Sequence, residues 1–443
     1  MLIFTTHVVS NAIKYNQIET YLSLETIYHQ RETAMKFIHI ADLHIGKRVR
    51  GFSLIDEQKY TLEQVASYAV QEKVHAVIIA GDVFDKPVAP LEALDVLEEF
   101  FATLATAHIP VVAIAGNHDS AERLSFGARF REEQFVHIAR AFSATPQFLD
   151  FTEANNDSKE ENKEKVAPLR VRVHLIPFVR PVHVRAAFPH QAEAIANYTD
   201  ALRVACANQP LIEKDANLLV AHQFVVHGES EPETCESETV SVGGLDSVQA
   251  SVFDAFDYVA LGHIHTAQSV GRDTIRYSGS IFPYSFSEAG REKSVTLIDI
   301  SPSITGANTS PGATNKRLSV TTRSLPLHEN RTLREITGSF EELARTAPSD
   351  PHADDYLHVT LTDDALMNAM EKIRALYPHV MQLDFAHTRR IQTARQQAIK
   401  EAHLSNDPIG LLTDFYRSQT ENELSESQIA AIRTIIDEEV AAR

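Results

Sequence analysis

Cysteine is almost missing: Cys206 and Cys235 are the only two in 443 residues. That excludes a disulfide framework and a thiolate metal cluster, and it fits a reducing cytoplasm. No apolar run approaches the ~18 residues of a membrane-crossing helix, so no membrane partner is expected. The N-terminus lacks the basic start, apolar middle and small-residue cleavage site of a secretory signal. Basic residues are in deficit too, with 41 Lys and Arg against 60 Asp and Glu and a net charge of −19. A protein that grips nucleic acid unaided usually carries a basic footprint. Strong autonomous DNA binding is therefore disfavoured. A nuclease whose metals face the phosphate locally, or whose partner does the gripping, stays compatible with this charge. No G-x-x-x-x-G-K-[ST] phosphate loop occurs.

What is present is ordinary globular composition, 44% apolar, in a chain long enough for two or three domains. From Met35 to about Thr145, strand and helix patterns alternate. The run Val74 to Phe84 is unbroken and apolar up to Gly81-Asp82, as expected for a buried parallel strand. Leu62, Val65 and Ala69 follow helical spacing, as do Leu94, Leu97, Phe101 and Leu104 in a helix opened by Pro90 at its first position. Strand–helix–strand repeats of this kind predict βαβ units. Further strands are expected at 109–115, 171–178, 218–222, 256–263, 274–277 and 293–300. Residues 153–165 read as a polar loop tip.

The chemistry lies at the strand ends. Asp42-Leu43-His44, Gly81-Asp82-Val83-Phe84-Asp85, Gly116-Asn117-His118-Asp119, His222 and Gly262-His263-Ile264-His265 each close an apolar run. In open α/β sheets, ligands bind at that carboxyl edge. Carboxylate, imidazole and amide oxygen together suit Mn, Zn or Fe. Residues i and i+2 of an extended segment point the same way, so Asp42 with His44, and His263 with His265, either face one site or straddle two. Seven candidate ligands exceed the needs of one ion. Two ions with one bridging carboxylate would use them, and Asp82 is the expected bridge.

This ordered set is similar to the signature of calcineurin-like metallophosphoesterases. Ile40 to His44, Gly116 to Ser120 with Arg123-Leu124, and Tyr277-Ser278-Gly279-Ser280 narrow the resemblance to the SbcD branch, the nuclease subunits of bacterial SbcC–SbcD complexes. The resemblance covers Met35 to the C-terminus. It implies a fold of two mixed β-sheets in a sandwich flanked by helices, with a small α+β cap and C-terminal helices. It implies two divalent metal ions, manganese by preference. One would be held by Asp42, His44, Asp82 and His265, the other by Asp82, Asn117, His222 and His263. His118 corresponds to the family's catalytic histidine, with Asp85 orienting it. The phosphatase branch has Arg-Gly where Lys86-Pro87 follows here, which counts against phosphoprotein substrates. The resemblance further implies a Mn-dependent double-strand exonuclease and single-strand or hairpin endonuclease serving DNA repair, recombination and replication. Its partners would be DNA, a second copy of this subunit, and an SbcC-type coiled-coil ATPase in a heterotetramer. Two other functions remain open. One is a phosphoesterase for small nucleotides or other phosphodiesters. The other is a non-catalytic scaffold that tethers DNA ends.

The expected organisation is an N-terminal extension over 1–34, either an upstream mis-start or a packed helix, then the catalytic domain over 35–300. A Ser/Thr/Gly/Pro/Asn-rich linker over 301–316 follows. An α+β DNA-recognition cap spans 317–395 and a helical partner-docking segment 396–443. In the last segment, Asp407-Pro408 opens one helix, and Ser425 with Gln428 forms a capping box for another. His39 has the wrong parity for a ligand and is expected to be structural. Tyr284 and Phe286 are expected in packing rather than base stacking. His227 is a weak candidate for the cleft.

Overall fold

The computed structural model describes residues 34–133, 135–152, 169–213, 215–238, 246–302, 318–387, and positions 413, 416–417, 424–425 and 427–429. The chain forms two compact units, dividing between Arg334 and Glu335.

The first unit contains two six-stranded mixed sheets. The first sheet begins with β1 (Met35–Ile40), β2 (Ala76–Ala80), β3 (Val111–Ile114) and β4 (Val136–Ile138), all parallel. Helices α1 (Ile55–Gln71) and α2 (Leu91–Thr106) make the first two crossovers. The chain then builds the second sheet from β5 (Phe148–Thr152), β6 (Arg170–Ile176), β7 (Ala216–His222), β8 (Tyr258–Gly262), β9 (Gln268–Val270) and β10 (Arg272–Tyr277). Helix α3 (Tyr198–Ala207) lies between β6 and β7 in sequence. Finally β11 (Lys293–Pro302) returns to the first sheet antiparallel to β1, and β12 (Leu318–Leu327) pairs with it. The orders are β12-β11-β1-β2-β3-β4 and β9-β10-β8-β7-β6-β5.

Burial explains the unbroken apolar run of β2. Its alternate residues Val77 and Ile79 pack with Leu62, Val65, Val96 and Leu97 of the helices. Ala76, Ile78 and Ala80 face the other way, into a layer shared with Val173, Leu218, Val220 and Ala260 of the second sheet. A strand covered on both faces has no polar position to offer. Truncating Ile78 to Ala at this seam would cost about 2–5 kcal/mol. The second sheet's outer face carries its own core, including Leu202, Leu219, Phe253 and Leu261.

Two expectations need correction. The boundary does not fall at 301–316. β12 continues the first sheet in register with β11, from Lys293 opposite Leu327 to Pro302 opposite Leu318. The polar stretch, outside the described residues from 303 to 317, thus falls in sequence between two strands that pair with each other. Pro90 stands just before α2, in extended conformation, rather than inside its first turn.

The second unit holds a three-stranded sheet of β13 (Leu333–Gly338), β14 (Tyr356–Leu361) and β15 (Val380–Phe385). Helices α4 (Phe340–Thr346) and α5 (Ala369–Arg374) supply Leu343 and Ile373 to its core. Ser425 and Gln428 exchange the expected capping-box bonds at 2.9 and 3.4 Å. Residues 1–33 and the segment around Asp407 lie outside the described residues. Among the described residues no helix is long and apolar enough to cross a membrane.

Candidate metal centre

Five segments leave the carboxyl ends of parallel strands in both sheets and meet. β1 leads to Asp42 and His44, β2 to Asp82 and Asp85, and β3 to Asn117 and His118. From the second sheet, β7 ends in His222 and β8 leads to His263 and His265. The Asp42 N–H donates to the Gly81 carbonyl at 3.1 Å, and the His44 N–H to that of Asp82 at 2.9 Å. The sheets are tied as well. The His263 N–H donates to both carboxylate oxygens of Asp42, at 2.9 and 3.1 Å.

This convergence bends the backbone. Asp42, His44, Asp82 and His263 have φ of 54°, 43°, 49° and 106°. Such left-handed conformations cost non-glycine residues on the order of 1–3 kcal/mol each and concentrate at functional sites. Glycine makes the close approach possible. A Cβ on Gly116 would fall on the Asp82 carboxylate, and one on Gly262 on the Ala80 carbonyl.

All nine expected residues are near one another. Asn117 Oδ1 lies 2.9 Å from His222 Nε2 and 3.0 Å from His263 Nδ1. Asp82 Oδ2 lies 3.4 Å from His222 Nε2 and 3.6 Å from His44 Nε2. His44 Nε2 faces His265 Nε2 at 3.2 Å. Asp42, His44 and His265 form one cluster of ligand atoms, and Asp42, Asp82 and His222 another, each within 4.8 Å. Buried His44 also keeps an Nδ1 without a hydrogen-bond partner. Imidazole nitrogens aimed at one another between carboxylates fit divalent cations shared among them.

The electrostatics agree with a site made for positive charge. Burial pushes Asp42 up to about 7, against the nearby imidazoles of His222 and His265. Burial would also raise Asp82, but His222, His44 and His118 outweigh it and hold this carboxyl below the usual range. Burial alone would lower His222; the Asp82 carboxylate reverses that and lifts it to about 9. Burial, then the charge of His222, brings His263 down to about 3.

His118 stands beside this cluster, its ring 4.8 Å from that of His44 and edge-on to it. Its Nδ1 donates to the main-chain carbonyl of Asp85 at 3.0 Å. The expected orienting contact thus comes from the backbone of Asp85. The Asp85 carboxylate instead pairs with Lys47 Nζ at 2.9 Å.

The sequence assigned no role to several contributors. Asp119 accepts the N–H groups of Val83, Phe84 and Gly116 at 2.9–3.0 Å, which fastens the β2 and β3 loops together. Its place beside His118 was the available signal. Ser237, Glu288 and Lys293 stand behind His265, and nothing in their spacing marks them. His39 is buried against Tyr258 Oη and the Leu261 carbonyl, both at 3.1 Å, a structural role as expected. Tyr284 is buried, bonds the Leu43 carbonyl and receives Gln58 Nε2 at 3.1 Å. It is a wall of the site, not a stacking platform. His227 is exposed.

Comparisons with known proteins bear on this geometry. The calcineurin-like phosphoesterase family model matches residues 35–267. The SbcD_C model, described as the type 5 capsule protein repressor C-terminal domain, matches residues 329–420. Among solved structures, a dimetal phosphatase from Danio rerio is 12% identical over 60% of this chain and 94% of its own, with a TM-score of 0.35. An archaeal phosphodiesterase is 11% identical over 66% of this chain and 100% of its own, with a TM-score of 0.25. Such distant likenesses add no argument, whereas the first family model spans more than half of the sequence. On that match the chain belongs to the calcineurin-like phosphoesterase family, and it carries an SbcD-type C-terminal domain.

Proposed function

We propose that this protein is the nuclease subunit of an SbcC–SbcD-type complex, hydrolysing DNA phosphodiesters with two divalent ions, most simply manganese. The observation that carries the reading is the meeting of seven ligand side chains from both sheets in a chain that also matches an SbcD-type C-terminal domain. Asp42, His44, Asp82 and His265 would hold one ion. Asp82, Asn117, His222 and His263 would hold the other, with Asp82 bridging. Bound divalent ions supply Lewis acidity to the phosphoryl oxygens and lower the pKa of a water. The protein's own part is positional. Asp42, clamped by the His263 N–H, and Asn117, set between two imidazoles, keep the donors in place before substrate arrives. His118, held through Nδ1, presents Nε2 to the phosphoryl or leaving oxygen and delivers a proton there.

The second unit serves as the DNA-recognition cap in this reading, and the C-terminal segment docks on the coiled coil of an SbcC-type ATPase. A homodimer of this subunit is supported by exposed apolar side chains on the first unit: Leu91 is 79% exposed, and Phe126 and Phe130 are each 82%. Isolated large apolar groups are normal on surfaces, but phenylalanines this exposed gain most from a covering partner. A cytoplasmic location and roles in repair, recombination and replication follow from the same assignment.

The purified chain, loaded with manganese, should cut a labelled hairpin DNA, and addition of the SbcC-type partner with ATP should extend cleavage along duplex ends. Cleavage of a chromogenic diester with no cleavage of DNA under either condition would favour a small-molecule phosphoesterase. Inactivity on both with metal bound would favour a tethering scaffold.

A further inference from the structure

Behind His265 runs a chain of polar side chains, from half-buried Ser237 to the buried Glu288 and Lys293. Its Nδ1 lies 2.7 Å from Ser237 Oγ, and the same hydroxyl lies 2.6 Å from Glu288 Oε1. Glu288 and Lys293 form an ion pair at 2.6 Å with side chains 0% and 5% exposed. The ammonium has three donors and three acceptors in reach: Glu288 Oε2 at 2.6 Å, Ser280 Oγ at 2.8 Å and the His265 carbonyl at 3.1 Å. Glu288 Oε1 also accepts the Tyr284 N–H at 3.1 Å and the Ser285 hydroxyl at 2.9 Å. A carboxylate so surrounded by donors acts only as an acceptor. The Ser237 O–H must therefore donate to Glu288. Its lone pair is left to accept from His265 Nδ1–H. In the neutral ring this leaves the Nε2 lone pair free, on the side where His44 Nε2 stands 3.2 Å away. The same loop grips the main chain, because the His265 N–H donates to Glu238.

We infer that Ser237 is a positioning residue that relays the Glu288–Lys293 ion pair to His265 and fixes the imidazole with Nε2 bare and ready for a cation. The purpose of the relay rests on the metal-centre reading; the relay itself is a property of the metal-free chain. It differs from a plain structural staple. A buried ion pair can brace a loop without choosing a tautomer, and this one reaches a ligand through a hydroxyl that both donates and accepts. Partners behind ligating histidines tune metal affinity in this way.

Histidine-selective 15N labelling of the full chain, stripped of metal by a chelator, reads which ring nitrogen of His265 carries the proton. A His265→Gln variant identifies the signal. The expected result is Nδ1–H in the wild type and in Ser237→Thr, and loss of that preference in Ser237→Ala. Manganese titration followed by electron paramagnetic resonance should show Ser237→Ala weakened roughly 10–100-fold and Ser237→Thr largely restored. A wild-type proton on Nε2 would overturn the relay, and that result needs no variant to fold. So would Ser237→Ala with unchanged tautomer and manganese affinity. Nδ1–H in a wild-type protein that binds no manganese would uphold the relay and defeat the metal reading instead.

Discussion

His222 Nδ1 lies 2.8 Å from the carbonyl oxygen of Ala80, so an imidazole at the end of β7 in one sheet is pinned to β2 in the other. A carbonyl only accepts, so Nδ1 carries a proton and Nε2 is left to Asp82 and Asn117. Asp82 lifts His222 to about 9, so near neutral pH Nε2 also holds a proton. A divalent cation must displace it. Manganese affinity is therefore expected to rise with pH up to about 9 and to fall on acidification, by as much as ~10-fold per pH unit through this one group. Calorimetric titration in buffers of different ionisation enthalpy counts the protons released. Binding without proton release would contradict the assignment.

His118→Leu removes the proposed proton donor and leaves the seven proposed ligands intact. Turnover on a chromogenic diester should fall ~10²–10⁴-fold, with metal content unchanged by elemental analysis. Asp85→Ala should cost far less, because His118 is held by the main-chain carbonyl at that position. Equal losses in the two variants would show that the Asp85 carboxylate acts directly.

Gly116→Ala would set a methyl group against the Asp82 carboxylate. Overpacking of this kind costs about 1–3 kcal/mol. Because it bears on the proposed shared ligand, bound metal per chain should drop even at temperatures where the fold survives. Thermal melts beside metal analysis separate the two effects. Full metal content in a folded variant would mean that Asp82 is not the bridge.

Phe126→Asp combined with Phe130→Asp tests the proposed homodimer. Substitutions at such exposed positions should change the stability of the subunit by no more than about 0.5 kcal/mol. Sedimentation should nevertheless show the loss of self-association, while cleavage of the small diester persists. An unchanged dimer would place the interface elsewhere.

The strand ends were legible because each closes an apolar run, three of the five with Gly-Asp, Gly-Asn-His-Asp or Gly-His-x-His. Their convergence follows once β1, β2 and β3 lie side by side in parallel. Ser237 and Glu288 left no such trace. They sit outside the strands, and their meaning comes from contacts 28 and 51 residues apart in sequence. The domain boundary was misread for another reason. A polar, low-complexity stretch marks a place where chain is cheaply added, and a loop that closes a hairpin costs little more as it lengthens. β12, with Thr321, Thr322, Arg323 and Ser324 along a sheet edge, lacks the apolar run that would have declared it a strand.

The left-handed backbone at Asp42, His44, Asp82 and His263 sets a bound on what this site can become. β-Branched residues are poorly accommodated at such angles. Replacement of these donors by threonine, even where an oxygen would suffice, meets resistance from the main chain before any question of ligand chemistry arises. Variation in metal preference should therefore enter through residues of ordinary backbone geometry, which among the seven proposed donors are Asn117, His222 and His265.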